Sequence, residues 1–479
     1  MSLITFQDFE KASNKPEFIG KAISDHLSSD VYKIAKEADL YDRQLNVTIH
    51  NYIKIIFSLT GSPVEDFTAS NNKLASNFFH RLNTQRCVYL LGNGVSFTEH
   101  KEDVVDESGV KVTTDLTKEK LGNKFDADLK HIAYFSLIHG ISFGFWNVDK
   151  MHVFPVTEFV PIWDEETGAL RAGIRFWRLD EDKPLMVVLY EEDGYTKYKQ
   201  NVGASRGDFE EVQPKRTYKT IIMHTEADGD AVIGEENYSS LPIVPLWGSK
   251  LHQSTLVGMK EKIDSFDLIR SGFANDLTDC SEIYWILENC SGMSDADLAK
   301  FRDRLKINHI ATVDVEGGSA ATPYTQEVPF QARQAYLDSI RAGIYEDFGA
   351  LDVHTVAAGA TNDHIDAAYQ PLDEESDDFE YQICEFLQRI LALVGIEDTP
   401  VFKRNRISNQ TEQTQMILSA AEYLDDETVL QKLPFISVDE ISGILAKKDM
   451  ANMGRIQFNE GPSEAQEDTS DTEEAQPPV

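Results

Sequence analysis

Few residues in this chain have types and spacings that could do chemistry. Gly140-Ile141-Ser142-Phe143-Gly144 matches G-x-S-x-G, where a serine nucleophile sits on a sharp turn leading from a strand into a helix. Here the order is reversed. Helical spacing ends at His139, and the strand-like run FGFWNV follows. The motif therefore reads as a glycine-punctuated turn. Gly92-Asn93-Gly94 lacks a third glycine and a following helix, so it too reads as a turn. No Walker A sequence is present, which argues against an ATPase. His131 and His139 lie two helical turns apart, too far to share one metal without other ligands. Asp363, His364 and Asp366 could be drawn as a metal site, but three such residues in a polar stretch read as a solvated loop. Cys87, Cys280, Cys290 and Cys384 form no CxxC pair and read as reduced core thiols, as expected in the cytosol. No catalytic residue, cofactor or metal is expected.

The bulk numbers narrow the classes further. The 479 residues carry 81 acidic and 45 basic side chains, a net charge of −36. Length alone suggests two to four domains. Strong acidity argues against tight, sequence-blind gripping of nucleic acid, which needs Lys and Arg against phosphates. It is compatible with a surface along which DNA moves without sticking. VFKRNR, from Val401, is the only basic, aromatic-bearing stretch that could stack single strands. No run of ~18 apolar residues exists, so no membrane span is expected. MSLITFQDFEKASNK has no signal-peptide pattern.

The elements that must position these residues follow from periodicity. Residues 1–90 show helical 3- and 4-residue apolar spacing. Residues 92–118 read as a polar loop or hairpin, and Asp126 to His139 as helix. From Ile141 to about Leu246 the pattern becomes strand-like, with turns at Asp164–Gly168 and Asp193–Gly194. LPIVPLW closes that region with two prolines, read as ending regular pairing.

Two amphipathic rods come next. The first runs about Ser254 to Asp279, with Leu256, Met259, Ile263, Phe266, Phe273 and Leu277 spaced 3-4-3-7-4, a seam broken only by Arg270. The second runs about Phe330 to Phe348, with Leu337, Ile340, Ile344 and Phe348 on one stripe. These are rods of roughly 30–40 Å. Each has one narrow apolar stripe, read as lacking a local partner large enough to bury it. Between them lies an insert: strand-like SEIYWILE, a short helix capped by Ser294 with Asp297 at N3, strand-like INHIATVDV, and GGSAATPYT. A polar loop, DVHTVAAGATNDHIDAAYQP, leads to a helix from about Asp373 to Gly395. Its first turn is acidic at Asp373, Glu374, Glu375, Asp377 and Asp378, matching the helix dipole. VFKRNRI reads as a short basic strand, TEQTQMILSAAEYL as a helix, and Ser437 as the cap of another. Residues 459–479 are acidic and nearly without apolar side chains, so they are expected to be disordered.

This order of elements resembles the portal (head-to-tail connector) proteins of tailed double-stranded DNA bacteriophages, of the type found in siphophages of Gram-positive bacteria. The resemblance covers about residues 30–455. It is carried by LASNFFHRLNTQRCVYLLGNGV, LIHGISFGFWN, VFPVTEFVPIWDEETGALRAGIRFW, LPIVPLW and KIDSFDLIRSGFANDLTD. It implies a helix-rich α+β portal fold that assembles as a ring. Residues 1–252 would be the wing, 253–280 the first stem helix, 281–328 the clip, and 329–350 the second stem helix. Residues 351–372 would be the tunnel loop, 373–405 a long helix into the wing, 406–458 the crown, and 459–479 the tail.

The resemblance also implies sites and partners. His354, Thr355, Asn362, Asp363 and His364 would touch double-stranded DNA from the tunnel loop, although the loop lacks a conspicuous Lys or Arg. Tyr284, Trp285 and Tyr324 would meet partners at the clip. The seam residues would pack the stem. The ring would be a dodecamer at one capsid vertex of the virion, assembled in the host cytoplasm. It would meet the terminase large subunit, the major capsid and scaffolding proteins, and a neck adaptor, with no membrane. Two rival readings are another ring-forming or scaffold protein, and an acidic hydrolase built on the 141–246 region.

Overall fold

The computed structural model describes residues 4–57, 61–66, 69–105, 111–205, 207–225, 229–279, 284–288, 320–324, 330–355, 361–406 and 410–433, with parts of 294–300 and 441–448. The chain divides into two compact units. One comprises residues 1–353 and 368–406, the other 354–367 and 407–479. The architecture is helix-rich α+β, as expected.

In the larger unit the N-terminal region carries α1 (Lys15–Ser28), α2 (Asp30–Asp42) and α3 (Phe78–Leu91), but it is not helical throughout as expected, because Ile55–Phe57 pairs antiparallel with Pro63–Glu65. The Asn14 side chain caps α1 and Ser29 caps α2, each accepting a backbone N–H that the helix leaves unbonded. After a short hairpin of Lys101–Val105 with Lys111–Asp115 comes α4 (Phe125–His139). The β-rich region then begins. β1 (Ile141–Asn147) and β2 (Lys150–Pro155) form a hairpin. β3 (Phe159–Trp163), β4 (Leu170–Trp177), β5 (Leu185–Glu191), β6 (Gly194–Gln200) and β7 (Glu210–Arg216) form a five-stranded antiparallel meander in the order β7-β6-β5-β4-β3. β8 (Lys219–Thr225) and β9 (Gly229–Glu236) make a separate ribbon.

β10 (Ile243–Trp247) returns to pair with β1, giving the order β10-β1-β2. The prolines of LPIVPLW do not end pairing, since Pro245 sits opposite Phe143. β10 is an edge strand, so the N–H that proline lacks is not needed there.

Period-2 alternation divides the five-stranded sheet between two cores. Val160, Ile162, Ala172, Ile174, Val187 and Leu189 face Ile19, Ala22 and Ile23 of α1. Phe159, Val188 and Tyr190 join the other core, with Leu129, Ile132 and Ala133 of α4 and Phe143 and Phe145 of β1.

Then come α5 (Lys260–Asp279), β11 (Tyr284–Glu288), β12 (Ala320–Tyr324), α6 (Phe330–Phe348) and α7 (Asn362–Val394). β11 pairs antiparallel with β12, so GGSAATPYT, for which no element was expected, supplies a strand, while INHIATVDV lies outside the described residues. α7 begins eleven residues before the expected Asp373 and carries Pro371 inside it. Thr361 precedes its first turn, and its Oγ1 lies 2.7 Å from His364 Nδ1, a cap-like contact that a reading of DHIDAAYQP as loop did not anticipate. Among the described residues of VFKRNRI only Val401 and Phe402 lie in a strand, Pro400–Phe402, paired with Val95–Phe97. In the smaller unit, Gln410–Ala420 and Asp426–Lys432 are helical, the second capped by Asp425. Residues 437–440 and 459–479 lie outside the described residues.

Candidate functional site

The antiparallel pair α5–α6 is the feature that most needs explaining. Its entry is built by the chain before it. Ser254 Oγ donates to the Ile138 carbonyl at 2.5 Å and accepts the Leu256 N–H at 3.1 Å. Gly258 has φ +86°, a left-handed turn that glycine adopts without strain. The helix therefore starts at Lys260, not Ser254, and Leu256 and Met259 are buried in the turn that precedes it.

The helices are then stitched side by side. Lys262 Nζ donates to the Gly343 carbonyl at 3.3 Å and pairs with Asp347, while Arg333 pairs with Asp276 further along. The Phe273 and Phe330 rings lie 5.5 Å apart.

The apolar seam does have a partner within its own chain. Ile263, Ile344 and Phe348 are buried with Ala38 and Tyr41 of α2 and Phe78, Phe79 and Leu82 of α3. Phe266 is half-buried edge-on to Phe78 at 5.0 Å. Leu337 is buried and Ile340 half-buried. The expectation of a stripe with no local partner fails for this half. Beyond Phe273, Leu277 of the expected stripe is 54% exposed, and Phe330 and Tyr336, which were not part of it, are at least half exposed as well.

α5 also has a second, polar stripe. Asp264, Asp267, Ser271 and Asn275 are all buried, with a 3-4-4 spacing as regular as the apolar one. An extended stretch of chain runs antiparallel along it. The N–H groups of Asn72, Leu74 and Ser76 donate to Asn275 Oδ1 (2.6 Å), Ser271 Oγ (2.9 Å) and Asp267 Oδ1 (2.9 Å). Two extended residues advance the chain about 6.6 Å, and four helical residues about 6.0 Å, so the two ladders stay in step.

Asp267 also accepts from Asn46 Nδ2. Its burial holds its carboxyl above the usual carboxylate range, against the opposing effect of these hydrogen bonds. Asp264 accepts from Tyr41 (2.5 Å), Thr48 (2.7 Å) and Lys260 (2.6 Å). Burial, then the bond to Asp264, pushes the Tyr41 hydroxyl up to about 12. Residue-type reading missed these four residues because it followed only the apolar period; the polar 3-4-4 period is regular but does not reveal that these residues are buried or what they bond.

The remaining candidates have structural roles or no gathered chemistry. Ser142 is fully buried and its Oγ donates to the Ile132 carbonyl at 2.7 Å, so it is not placed to attack anything. Gly140 takes φ +88°, and a Cβ there would lie 2.7 Å from Gln253, which accounts for a glycine at the turn. His139 Nε2 faces Asp39 at 2.7 Å, and the rings of His131 and His139 both lie against Phe135.

The arginines of VFKRNR are engaged within the chain. Arg404 pairs with Asp373, Asp377 and Glu380, and Arg406 with Asp373. The acidic run from Asp373 is thus mid-helix, and it anchors these cations instead of capping a helix start. Asp398 accepts from Thr117 Oγ1 (2.6 Å) and the Glu99 N–H (2.9 Å). These bonds hold its carboxyl well below its usual range despite burial.

Of the expected DNA-facing residues, His354 is exposed in a 3-10 turn, Val353–Thr355. Asn362, Asp363 and His364 form the first turn of α7, with Asp363 and His364 exposed. The side chain of Thr355 lies outside the described residues. Among the described residues no group of three His, Cys, Asp or Glu is placed to hold a metal. At the clip, Tyr284 stands opposite Tyr324 and Trp285 opposite Pro323 in the β11–β12 pair.

A two-sheet body continued into a stitched helix pair that carries a two-stranded insert is the portal class of architecture. The chain belongs to the family described as "Phage portal protein, SPP1 Gp6-like", whose model matches residues 21–454. It is 24% identical over 392 residues to a portal protein of Clostridium phage phiCD119, covering 77% of this chain and 82% of that one. It is 23% identical over 433 residues to a portal protein of Bacillus phage SPP1, covering 84% and 81%. Among solved structures, a chain from the neck of an empty GTA particle computed with C6 symmetry matches at 9% identity and TM-score 0.41, covering 75% of this chain and 90% of that one. Among the described residues no helix is long and apolar enough to cross a membrane.

Proposed function

We propose that this portal-family protein works as a dodecameric ring at one capsid vertex. Through its channel DNA is packaged and ejected, and on it the terminase large subunit and later a neck adaptor dock. The observation that carries the reading is the outer half of the α5–α6 pair. There an apolar seam buried at one end continues as exposed Leu277, Phe330 and Tyr336. Large apolar side chains left open at one end of a helix pair suit an interaction surface, and copies of the same chain arranged side by side would cover them.

In this reading α5–α6 is the stem, residues 281–328 the clip with Tyr284, Trp285 and Tyr324 toward partners, and residues 351–372 the tunnel loop, its later part being the start of α7. His354, Thr355, Asn362, Asp363 and His364 face the DNA. A net charge of −36 keeps the polyanion sliding instead of binding. Capsid and scaffolding proteins meet the ring during assembly in the host cytoplasm. Negative-stain microscopy of the purified protein tests the reading. A ring with a central hole is expected, and a compact monomer at micromolar concentration would reject it.

A further inference from the structure

The hairpin of Ile55–Phe57 with Pro63–Glu65 shows apolar side chains to solvent on both of its faces. Ile55 stands opposite Glu65 and Ile56 opposite Val64, so Ile55 and Val64 point to opposite sides. Ile55 is 57% exposed and Val64 46%. A lone two-stranded hairpin is marginal in water unless something packs on it. Hydrogen bonds set its height along the stem. The Asp66 N–H donates to the Lys54 carbonyl at 2.9 Å, and Lys73 Nζ donates to the His50 carbonyl at 2.6 Å, so the hairpin leaves and rejoins the chain beside residue 73. Asn72 is bonded to Asn275 Oδ1 of α5 through both its N–H (2.6 Å) and its Nδ2 (3.0 Å). The hairpin is therefore rooted at the level of Asn275, near the open end of the helix pair.

At the same level, between α5 and α6, lies an open groove of about 480 Å³ lined by Ile269, Gly272, Asp276, Ala332, Arg333 and Tyr336. It is unfilled at Gly272, where an added Cβ would meet no atom within 4 Å. Its two charged residues, Asp276 and Arg333, are paired with each other. At about 100° per residue, Ile269, Gly272 and Asp276 centre about 130° around α5 from the Asp264–Asn275 ladder that holds the hairpin's root. The projecting flank and the recessed flank of one copy thus face apart.

We propose that in the ring the 55–65 hairpin of each copy lies against the α5–α6 groove of the next, with Val64 over Gly272 and Tyr336. Both features are fixed to the same level of α5, so a rotation axis running along the helices carries every hairpin to the height of its neighbour's groove. Flanks that face apart give head-to-tail contacts, which close into a ring when the rotation closes. Glu65 shares the face of Ile55, so the Val64 face enters the groove and the carboxylate stays toward water. The groove's charges already satisfy each other, so an apolar side chain entering there strands neither. The inference rests on the ring reading and deepens it by naming what covers the open end of the stem.

Gly272→Leu separates this role from a structural one. The space at Gly272 is open in the protomer and leucine favours a helix over glycine, so the dilute, unassembled variant should melt at the wild-type temperature or above. Its subunit association, read by light scattering across a dilution series, should nevertheless be weaker, because the groove is filled. Val64→Ser should weaken association about tenfold, the loss expected for one buried valine, with unchanged protomer melting. Val64→Cys with Ala332→Cys, treated with a short bis-maleimide, should give a ladder of covalent oligomers that neither single variant gives. Gly272→Leu or Val64→Ser rings as tight as wild type, a Gly272→Leu protomer that melts lower, or wild-type-like rings of the double-cysteine variant without the ladder each overturn the contact while leaving the ring reading intact. Wild-type protein that stays monomeric overturns both.

Discussion

The two ends of the α5–α6 pair solve the same packing problem differently. Near the body, α5 is closed on both sides. Ile263 and Phe266 lie in an apolar cluster with α2 and α3, and Asp264, Asp267 and Ser271 are hydrogen-bonded to the 46–76 segment. Toward the insert, the helices keep each other through Arg333–Asp276 and Phe273–Phe330, yet leave Leu277, Phe330 and Tyr336 open. One end is finished within the protomer and the other awaits a surface. A single periodic helix thus splits into a part that specifies the fold and a part that serves assembly.

The sharpest way to break this comparison is at the closed end. Ile263 is fully buried in a cluster that draws side chains from four other helices. Ile263→Ala should lower protomer stability by about 3 kcal/mol through lost transfer energy and a cavity. Chemical denaturation followed by circular dichroism reads it, and a change under 1 kcal/mol would mean the cluster is not closed. Asp267→Ala should be next. It orphans the Ser76 N–H, at about 1–3 kcal/mol, and removes one of the two acceptors of the Asn46 amide, whose Nδ2 also donates to the Ser76 carbonyl, offset in part because a buried carboxyl is removed. A net loss of about 2 kcal/mol is expected from the same titration. A neutral result would show that the polar ladder contributes register alone.

Why half of this was legible in the sequence follows from the forces involved. Apolar periodicity locates α5 and α6 to within a few residues, because burial of Ile263 and Ile344 is what sets their faces. The strand region from Ile141 to Leu246 shows equally well through Val160, Ile162, Ile174 and Leu189, each facing one core at period 2. The polar ladder was not legible because it joins residues about 200 apart, and single Asp, Ser and Asn residues on a helix usually face water. The start of α7 at Asn362 was hidden by Pro371, which reads as a boundary and is tolerated inside the helix. The fate of the VFKRNR arginines was equally hidden: a basic run looks like a nucleic-acid contact until Asp373 and Asp377 are seen beside it.

Acid sharpens the comparison in a different way, because two hydrogen-bonded carboxyls, buried Asp267 and partly buried Asp398, are shifted in opposite directions. Asp398, outside the helix pair, is held low by its donors. A carboxyl depressed in the folded state contributes stability above its unfolded pKa of about 3.9 and loses it as pH falls through the folded value. Asp267 is raised, so its ionisation opposes folding as pH rises past the unfolded value, and acid relieves it. The stability gap between wild type and Asp398→Asn should therefore shrink below pH 4. The gap between wild type and Asp267→Ala should widen toward pH 4. Parallel curves for either variant from pH 7 to pH 3 would contradict the corresponding shift.

The smallest effect on the protomer belongs to the open end, and it is the most informative. Leu277 is 54% exposed, and substitutions at such positions stay within about 0.5 kcal/mol of wild type. Leu277→Ser should leave denaturation of the isolated protomer unchanged and lower the oligomer mass in light scattering at matched concentration. Phe330→Ser should do the same, with a larger loss of oligomer because a phenyl ring buries more area. The pairing of an unchanged protomer with a weakened ring is the signature of a surface finished only by another copy. If either variant instead destabilised the protomer as much as Ile263→Ala does, the helix pair would be closed along its whole length, and assembly would have to rest on other surfaces.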